Sequence, residues 1–582
     1  MSIMNKIISI LLLGLLFSCN LEKYPLDSIS PNTFFNTESD LKLYTNSFYT
    51  ALPGAEDIYN ESVDNIIKMD LSDELRGTRI VPTSGGGWTW TDLRNINFYL
   101  QNSSKCTDES ARSRYDAVAR FFRAFFYFDK VKRFGDVPWY TEVISDQDEA
   151  NLMKARTPRT EVMKNILDDI DYAIQYLPSE RKINEITKWT ALALKSRICL
   201  YEGTFRKYHT EFNFPDSEKF LADCIDASKQ LMDNSGYTIY STGNPEKDYL
   251  NFFASYSAIA DEVILAHAFS DELQVYHNLN YYTMTASYGR PGLEKSLVNS
   301  YLMKDGSRFT DIPGYETMFF TEETKNRDPR LSQTVRTPGY TRINETEKLV
   351  QEFGSTVTGY QLIKFVTERK WDTNQKDIND MPIFRYAEVL LNYAEAKAEL
   401  GTLTQSDLDI STRLIRNRVG MPNIDLAKAN SNPDSYLEKQ YPHLTGSNKG
   451  VLLEIRRERR IEMVMESFRW DDMMRWKEGA TFTTQFKGMY FPGLGEYDLD
   501  GDGIIDVCIY KNTKPSLEGK SIQYLKLNSD ITLEFGEKGC IVINPHIKKV
   551  WDEQKDYLYP IPIQERQLNP NLTQNPGWND GL

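Results

Sequence analysis

The chain has 582 residues, with 68 Lys and Arg against 83 Asp and Glu, a net charge of −15 and an isoelectric point near 5.1. That acidity gives a phosphate backbone nothing to bind, which sets nucleic acid aside as a partner. Charged residues at 26% beside hydrophobic ones at 40% exclude both wholesale disorder and a multi-span membrane protein, while 34 Tyr, 29 Phe and 9 Trp supply more ring surface than many cores use.

At the start, Lys6 precedes an apolar run from Ile7 to Phe17 broken only by Ser9 and Gly14. Eleven helical residues reach about 17 Å, short of a hydrocarbon layer of roughly 30 Å. The segment therefore reads as a secretion signal over residues 1–18. It ends Leu16-Phe17-Ser18-Cys19, which resembles a bacterial lipobox, although Phe17 is bulkier than the usual occupant. Cys19 is then the expected lipid-bearing N-terminus, and acyl chains at about 0.8 kcal/mol per buried CH₂ would hold the protein on a membrane. Five scattered cysteines remain, Cys106, Cys199, Cys224, Cys508 and Cys540, an odd number that is no disulfide framework.

Helical periodicity is expected over residues 38–51, 108–133, 160–177, 187–203 and 217–233. From Gly236 to about Asp380 the chain turns rich in Tyr, Thr, Gly and Pro, with many turn signals. Helices resume at 383–400, 405–419 and 450–478, and residues 480–582 read as loop and short strand. In Ile383–Leu400 the polar residues Arg385, Glu388, Asn392, Glu395 and Glu399 share one narrow stripe, and apolar residues fill the rest of the circumference. A helix apolar on two faces is wedged between neighbours, as stacked helical hairpins require. No strict 34-residue period accompanies it, so the stack follows from helix character rather than repetition. The fold class is mostly α: tetratricopeptide-like helical hairpins supporting an irregular, loop-rich region with a few short strands. The expected divisions are 19–235, 236–380 and 381–582, together one compact body.

Asp498, Asp500, Asp502 and Asp506 occupy positions 1, 3, 5 and 9 of a loop with Gly503 at position 6, the spacing of a calcium-binding EF-hand loop. Position 12 is Ile509 where a bidentate Glu belongs, so two readings stand: a structural calcium site, or a tight Asp/Gly turn that needs no metal. Glu454, Glu458, Glu462 and Glu466 repeat every four residues without a His at the offset a di-metal site uses, and Arg457, Arg459 and Arg469 make the stripe an ion-paired helix face. No Gly-x-Ser-x-Gly elbow, Walker loop or His-Glu-x-x-His motif occurs. Rings on loops suit sugar recognition, because the apolar face of a pyranose stacks on an aromatic plane. The candidates are Trp88, after Ser84-Gly85-Gly86-Gly87, the cluster Tyr281, Tyr282 and Tyr288, and Trp371; Trp90 reads as the core member beside Trp88.

Ordered motifs span nearly the whole mature chain. They run from Cys19-Asn20-Leu21-Glu22-Lys23-Tyr24-Pro25 and the Trp90-to-Asn97 pattern through Arg123-Ala124-Phe125-Phe126-Tyr127 and Phe134-Gly135-Asp136-Val137-Pro138. Asn326-Arg327-Asp328-Pro329-Arg330-Leu331, Phe384-Arg385-Tyr386-Ala387-Glu388, Glu458-Arg459-Arg460-Ile461-Glu462 and Arg469-Trp470-Asp471-Asp472 follow, and Tyr559-Pro560-Ile561-Pro562 and Gln574-Asn575-Pro576-Gly577 close the chain. In this order they resemble the SusD/RagB family of Bacteroidetes outer-membrane lipoproteins. The resemblance implies a surface-exposed, non-enzymatic protein anchored in the outer membrane through Cys19. It would capture a nutrient, usually a glycan and sometimes peptide, for a SusC-like TonB-dependent transporter, with no cofactor required. Binding residues vary within that family, so the ring assignments rest on position and chemistry alone. Two alternatives remain: a surface glycoside hydrolase, whose carboxylate pair at about 5 to 9 Å is visible only after folding, and a helical-repeat scaffold lipoprotein that binds protein or peptide.

Overall fold

The computed structural model describes residues 34–59, 61, 63–517 and 521–581; the signal segment, Cys19 and the tether after it lie outside them. The first helices arise where a cap meets an apolar stripe. Helix α1 (Glu38–Asn46) starts at Thr37, whose side chain and that of Asp40 cap each other's backbone. Helix α2 (Thr91–Asn102) leads into α3 (Glu109–Phe134), whose 26 residues rise about 39 Å. The Asp108 carboxylate accepts from the Ser110 and Ala111 amides at one end of α3, and Gly135, at φ 71°, stops the helix at the other.

Helices α4 (Arg159–Tyr176), α5 (Lys188–Tyr208) and α6 (Ser217–Asn234) continue the stack: α3 lies on α4, α4 on α5, and α5 on α6. At Gly203 of α5 a β-carbon would come within 2.8 Å of Leu221 on α6, so only glycine admits that approach. Helix α2 was not anticipated, and the other expected N-terminal helices form within a few residues of their expected ends. In the middle of the chain come β2 (Val263–His267), α7 (Leu279–Met284), β3 (Gly292–Leu293), which pairs antiparallel with β1 (Ile66–Ile67) from the segment before α2, and α8 (Lys295–Ser300).

Residues 383–385, expected to open the helix 383–400, instead belong to β4 (Met381–Arg385), antiparallel to β2; the helix proper, α9 (Tyr386–Glu399), begins after Arg385. It packs on α5, α6 and the later α10 (Lys449–Glu462). The expected helix 450–478 is in fact two, α10 and α11 (Arg469–Arg475), because Met465 and Ser467 take left-handed conformations at φ 62° and 63°. The Ser467 hydroxyl then donates to the Asp57 carbonyl across the molecule. The C-terminal strands are β5 (Lys487–Phe491), β6 (Gly495–Tyr497), β7 (Val507–Tyr510), β8 (Gln523–Lys526) and β9 (Gly539–Val542). They make a β5–β9 pair and a sheet of order β6-β7-β8.

Two apolar cores result, one within the N-terminal helices and one beneath the middle and C-terminal segments; α9 feeds both, with Leu390 in the first and Ala394 in the second. The polar stripe of α9 is buried as well. Glu388 accepts from Arg197, Asn392 and Glu395 accept from Arg459 and Arg475, and Glu399 accepts from Lys207. The carboxylates of α10 and of Glu466 just beyond it are ion-paired as expected, but by other partners: Arg330 and Arg416 on Glu458, Arg330, Arg385 and Arg418 on Glu462, and Arg385 and Lys364 on Glu466. Only Glu454 keeps a helical neighbour, Arg457. The five described cysteines are free and buried. No helix among the described residues is long and apolar enough to cross a membrane.

Candidate ligand-binding site

The loop-rich middle brings Tyr281, Tyr282 and Tyr288 together. Tyr282 and Tyr288 stack at 4.0 Å between centroids and 20° between planes, and Tyr281 lies 6.0 Å from Tyr282. All three rings are half-buried, with an edge or face open to solvent. Gly289, at φ 78°, turns the chain so that its carbonyl accepts from the Met69 amide, and a β-carbon there would lie 3.3 Å from Lys68. That approach sets the Lys68 ammonium 4.4 Å above the Tyr288 ring. Burial pulls Lys68 down to about 8. The Tyr282 hydroxyl reaches Glu56 at 3.4 Å and accepts from Asn278 at 3.3 Å, and the Tyr281 hydroxyl accepts from Ser287 at 2.9 Å. Rings with an amide, a carboxylate and a hydroxyl at their edges and an ammonium over one face are the groups that hold a sugar by its apolar face and its hydroxyls.

Trp371 stands in a neighbouring group. Its indole N–H donates to the Tyr256 hydroxyl at 2.9 Å, and the two rings meet edge to face at 6.3 Å. The segment carrying it is fastened to α7 by Asn280, whose amide nitrogen donates to Thr367 Oγ1 and Asp372 Oδ1 and whose oxygen accepts from the Thr367 amide. The Asp377 side chain accepts from the Asn280 backbone amide at 2.6 Å, and burial raises its carboxyl to about 8.

Trp88 departs from its expected position. It is 6% exposed, pressed edge-on against Phe134 and Trp90 at 4.9 and 5.2 Å, whereas Trp90 is the half-buried member of the pair. The glycine turn is the cause: the Trp88 amide donates back to the Gly85 carbonyl, folding the ring inward. Both indoles edge a cleft of about 600 Å³. The aspartate loop joins β6 to β7 as a hairpin, with Ile509 on β7 opposite Gly495, so no helices flank it. Asp498, Asp500 and Asp506 converge, each with a carboxylate oxygen within 4.8 Å of the others; Asp502 stands outside the group, and its carboxylate accepts from the Ile504 amide. Burial acts upward on Asp498, but amides of Gly503 and Gly501 outweigh it and hold the carboxyl low. Burial and the charges of Asp500, Asp498 and Asp502 push Asp506 up, a repulsion that a hard cation would relieve.

A family model described as SusD family matches residues 261–578, more than half of the chain. The chain belongs to the SusD family. A second model, described as starch-binding associating with outer membrane, matches residues 89–200. SusD-like protein P38 of Formosa agariphila is 24% identical over 510 residues, covering 82% of this chain and 92% of that protein. SusD-like proteins P2 and P25 of the same bacterium are 27% and 28% identical, and the match spans only 45% and 44% of their own lengths. Among solved structures, a SusD-like protein of Bacteroides fragilis superposes with a TM-score of 0.69 at 21% identity, over 96% of this chain and all of the other. A SusD-like carbohydrate binding protein of that organism gives 0.67 at 21% identity, over 93% and all. These likenesses establish the fold of a SusD-family protein. The partners of the ring cluster, Lys68, Glu56 and Tyr256, were missed from sequence because each is separated from its ring by more than a hundred residues and carries no motif.

Proposed function

We propose that this SusD-family chain is a surface-exposed outer-membrane lipoprotein, acylated at Cys19, that captures a glycan without transforming it and passes it to a SusC-like TonB-dependent transporter. The observation that carries the reading is the meeting of Tyr281, Tyr282 and Tyr288 at a partly open surface ringed by polar groups. Trp371 with Tyr256, held on the same helix through Asn280, extends the platform. The starch-binding description of the matched model and the carbohydrate binding named for the Bacteroides structure support a saccharide as the nutrient. The test is gel retardation and calorimetry against soluble starch, xylan, mannan and galactan. The Tyr282→Ala/Tyr288→Ala protein is expected to bind the retained polysaccharide at least about tenfold more weakly, the loss of roughly 1.4 kcal/mol of stacking. A protein that retains none of the four, or that releases reducing sugar from one, overturns the reading.

Calcium at Asp498, Asp500 and Asp506 belongs to the same proposal, as a structural ion that stiffens the β6–β7 hairpin. Calcium at about a hundred times its dissociation constant is expected to stabilise the loop's folded form by roughly 2.7 kcal/mol. Thermal melts in calcium and in EDTA read that shift, and Asp498→Asn with Asp506→Asn removes it. Identical melts in both solutions reject the ion.

A further inference from the structure

A second cleft, of about 660 Å³, opens on the C-terminal side and shares no lining residue with the tyrosine cluster. Its walls come from six separate segments. Tyr315 lies on the turn Tyr315–Thr317, Tyr436 on the short helix Ser435–Glu438, and Tyr490 on β5. Asn299 is on α8, and Phe535, in the turn before β9, is 67% exposed at the mouth. Tyr315 and Tyr436 meet at 6.3 Å and 89°, a fixed corner of two rings.

Two amides in this wall are only partly satisfied. Asn299 is 8% exposed and its amide nitrogen donates to the Tyr436 hydroxyl, yet its Oδ1 has no hydrogen-bond partner among the described residues. Gln440 is 9% exposed and its Oε1 accepts from Arg460, yet its Nε2 is likewise unpaired. Both leftover atoms are closed off from the cleft's surface; the neutral polar groups that open on it are Thr317, Thr484 and Gln485, which donate and accept as a sugar hydroxyl requires. Neither sign of charge dominates here: Lys487 is paired with Glu534 at 2.6 Å, and the exposed Lys439 and the exposed Glu316 both line the cleft.

We infer that this cleft is a second carbohydrate subsite, which takes a neutral sugar unit between its rings and these exposed polar side chains. The inference rests on the glycan reading above and adds to it that one chain grips a polysaccharide at two separate places. Two linked contacts act at the high effective concentration set by the polymer between them, so a long chain is held more tightly than a short oligosaccharide.

The experiment compares four proteins by calorimetry and gel retardation on starch, xylan, mannan and galactan, and on short oligosaccharides of whichever is retained. They are the unaltered chain, Tyr282→Ala/Tyr288→Ala, Tyr490→Ala/Phe535→Ala, and Thr317→Trp, which fills the cleft from its exposed rim and leaves the core intact. The expected result is two oligosaccharide molecules per unaltered chain and one per cleft variant, with polysaccharide affinity about tenfold lower in both cleft variants. One molecule per unaltered chain, with cleft variants indistinguishable from it while the tyrosine variant loses binding, overturns the subsite and leaves the glycan reading intact. No retention of any polysaccharide by the unaltered chain overturns both.

Discussion

Arg385→Ala is expected to lower the stability of the folded chain by about 3 to 5 kcal/mol, the usual loss when one partner of a buried ion pair is removed. Arg385 is 2% exposed and its guanidinium serves three carboxylates: Glu262 at 3.1 Å, Glu462 at 2.8 Å and Glu466 at 2.6 Å. Its removal leaves Glu262 to Arg418, Glu462 to Arg418 and Arg330, and Glu466 to Lys364, all inside the protein. Because Arg330 also serves Asp328 and Glu458, and Glu458 has Arg416 besides, five carboxylates would then face four cations where water cannot screen them. Arg385→Lys restores the charge but not the fork that reaches several oxygens at once, so it should recover only roughly half of the loss. Urea unfolding measures both. A loss below about 1 kcal/mol, the value of an exposed pair, would show that the network contributes no more than surface charge.

The second large effect is on pH. Burial alone would raise Glu395, but Arg475, beside it at 2.8 Å, pulls it down to about 2. A carboxyl depressed in the folded state contributes stability above its unfolded value near 4.3 and loses it as the pH falls toward 2, here about 3 kcal/mol. Glu202, Glu458 and Glu462 are depressed in the same direction, each by arginines that outweigh burial. Other acids act in the opposite sense. Burial raises Glu61 and Glu478 to about 7 and Asp377 to about 8. A carboxyl raised in the folded state is harmless below its unfolded value and weakens the fold as the pH climbs through the folded one. Stability is therefore expected to peak near about pH 5 and to decline on both sides. Denaturation midpoints at several pH values between 3 and 8 test it, and a monotonic rise to pH 8 would contradict the assignment of the raised group.

How far the site was legible depended on distance along the chain. Tyr281, Tyr282 and Tyr288 lie within eight residues of one another, so a turn-rich composition sufficed to place them together. Trp88 and Trp90 are just as close, yet their exposure was misread, because it depends on Phe134 and on a glycine turn that folds inward. The aspartate loop shows the same limit. Spacing named four carboxylates, and three of them converge, because the hairpin's own turn decides which side chains face inward. Of the expected helix 450–478, the periodicity was real on both sides, but only tertiary contacts require the left-handed Met465 and Ser467 between them.

The amino-acid sequence alone determined the helical body, the stack of hairpins and the turn-rich middle, because periodicity and turn chemistry are local and act within a few residues. Its ordered motifs also carried the family. Tertiary structure alone decided that the polar stripe of α9 is buried rather than solvated, which arginines meet the α10 carboxylates, and which rings keep an open face. Each of these depends on desolvation by segments tens to hundreds of residues away, and a charged or aromatic side chain reads the same in sequence whether water or another chain segment surrounds it.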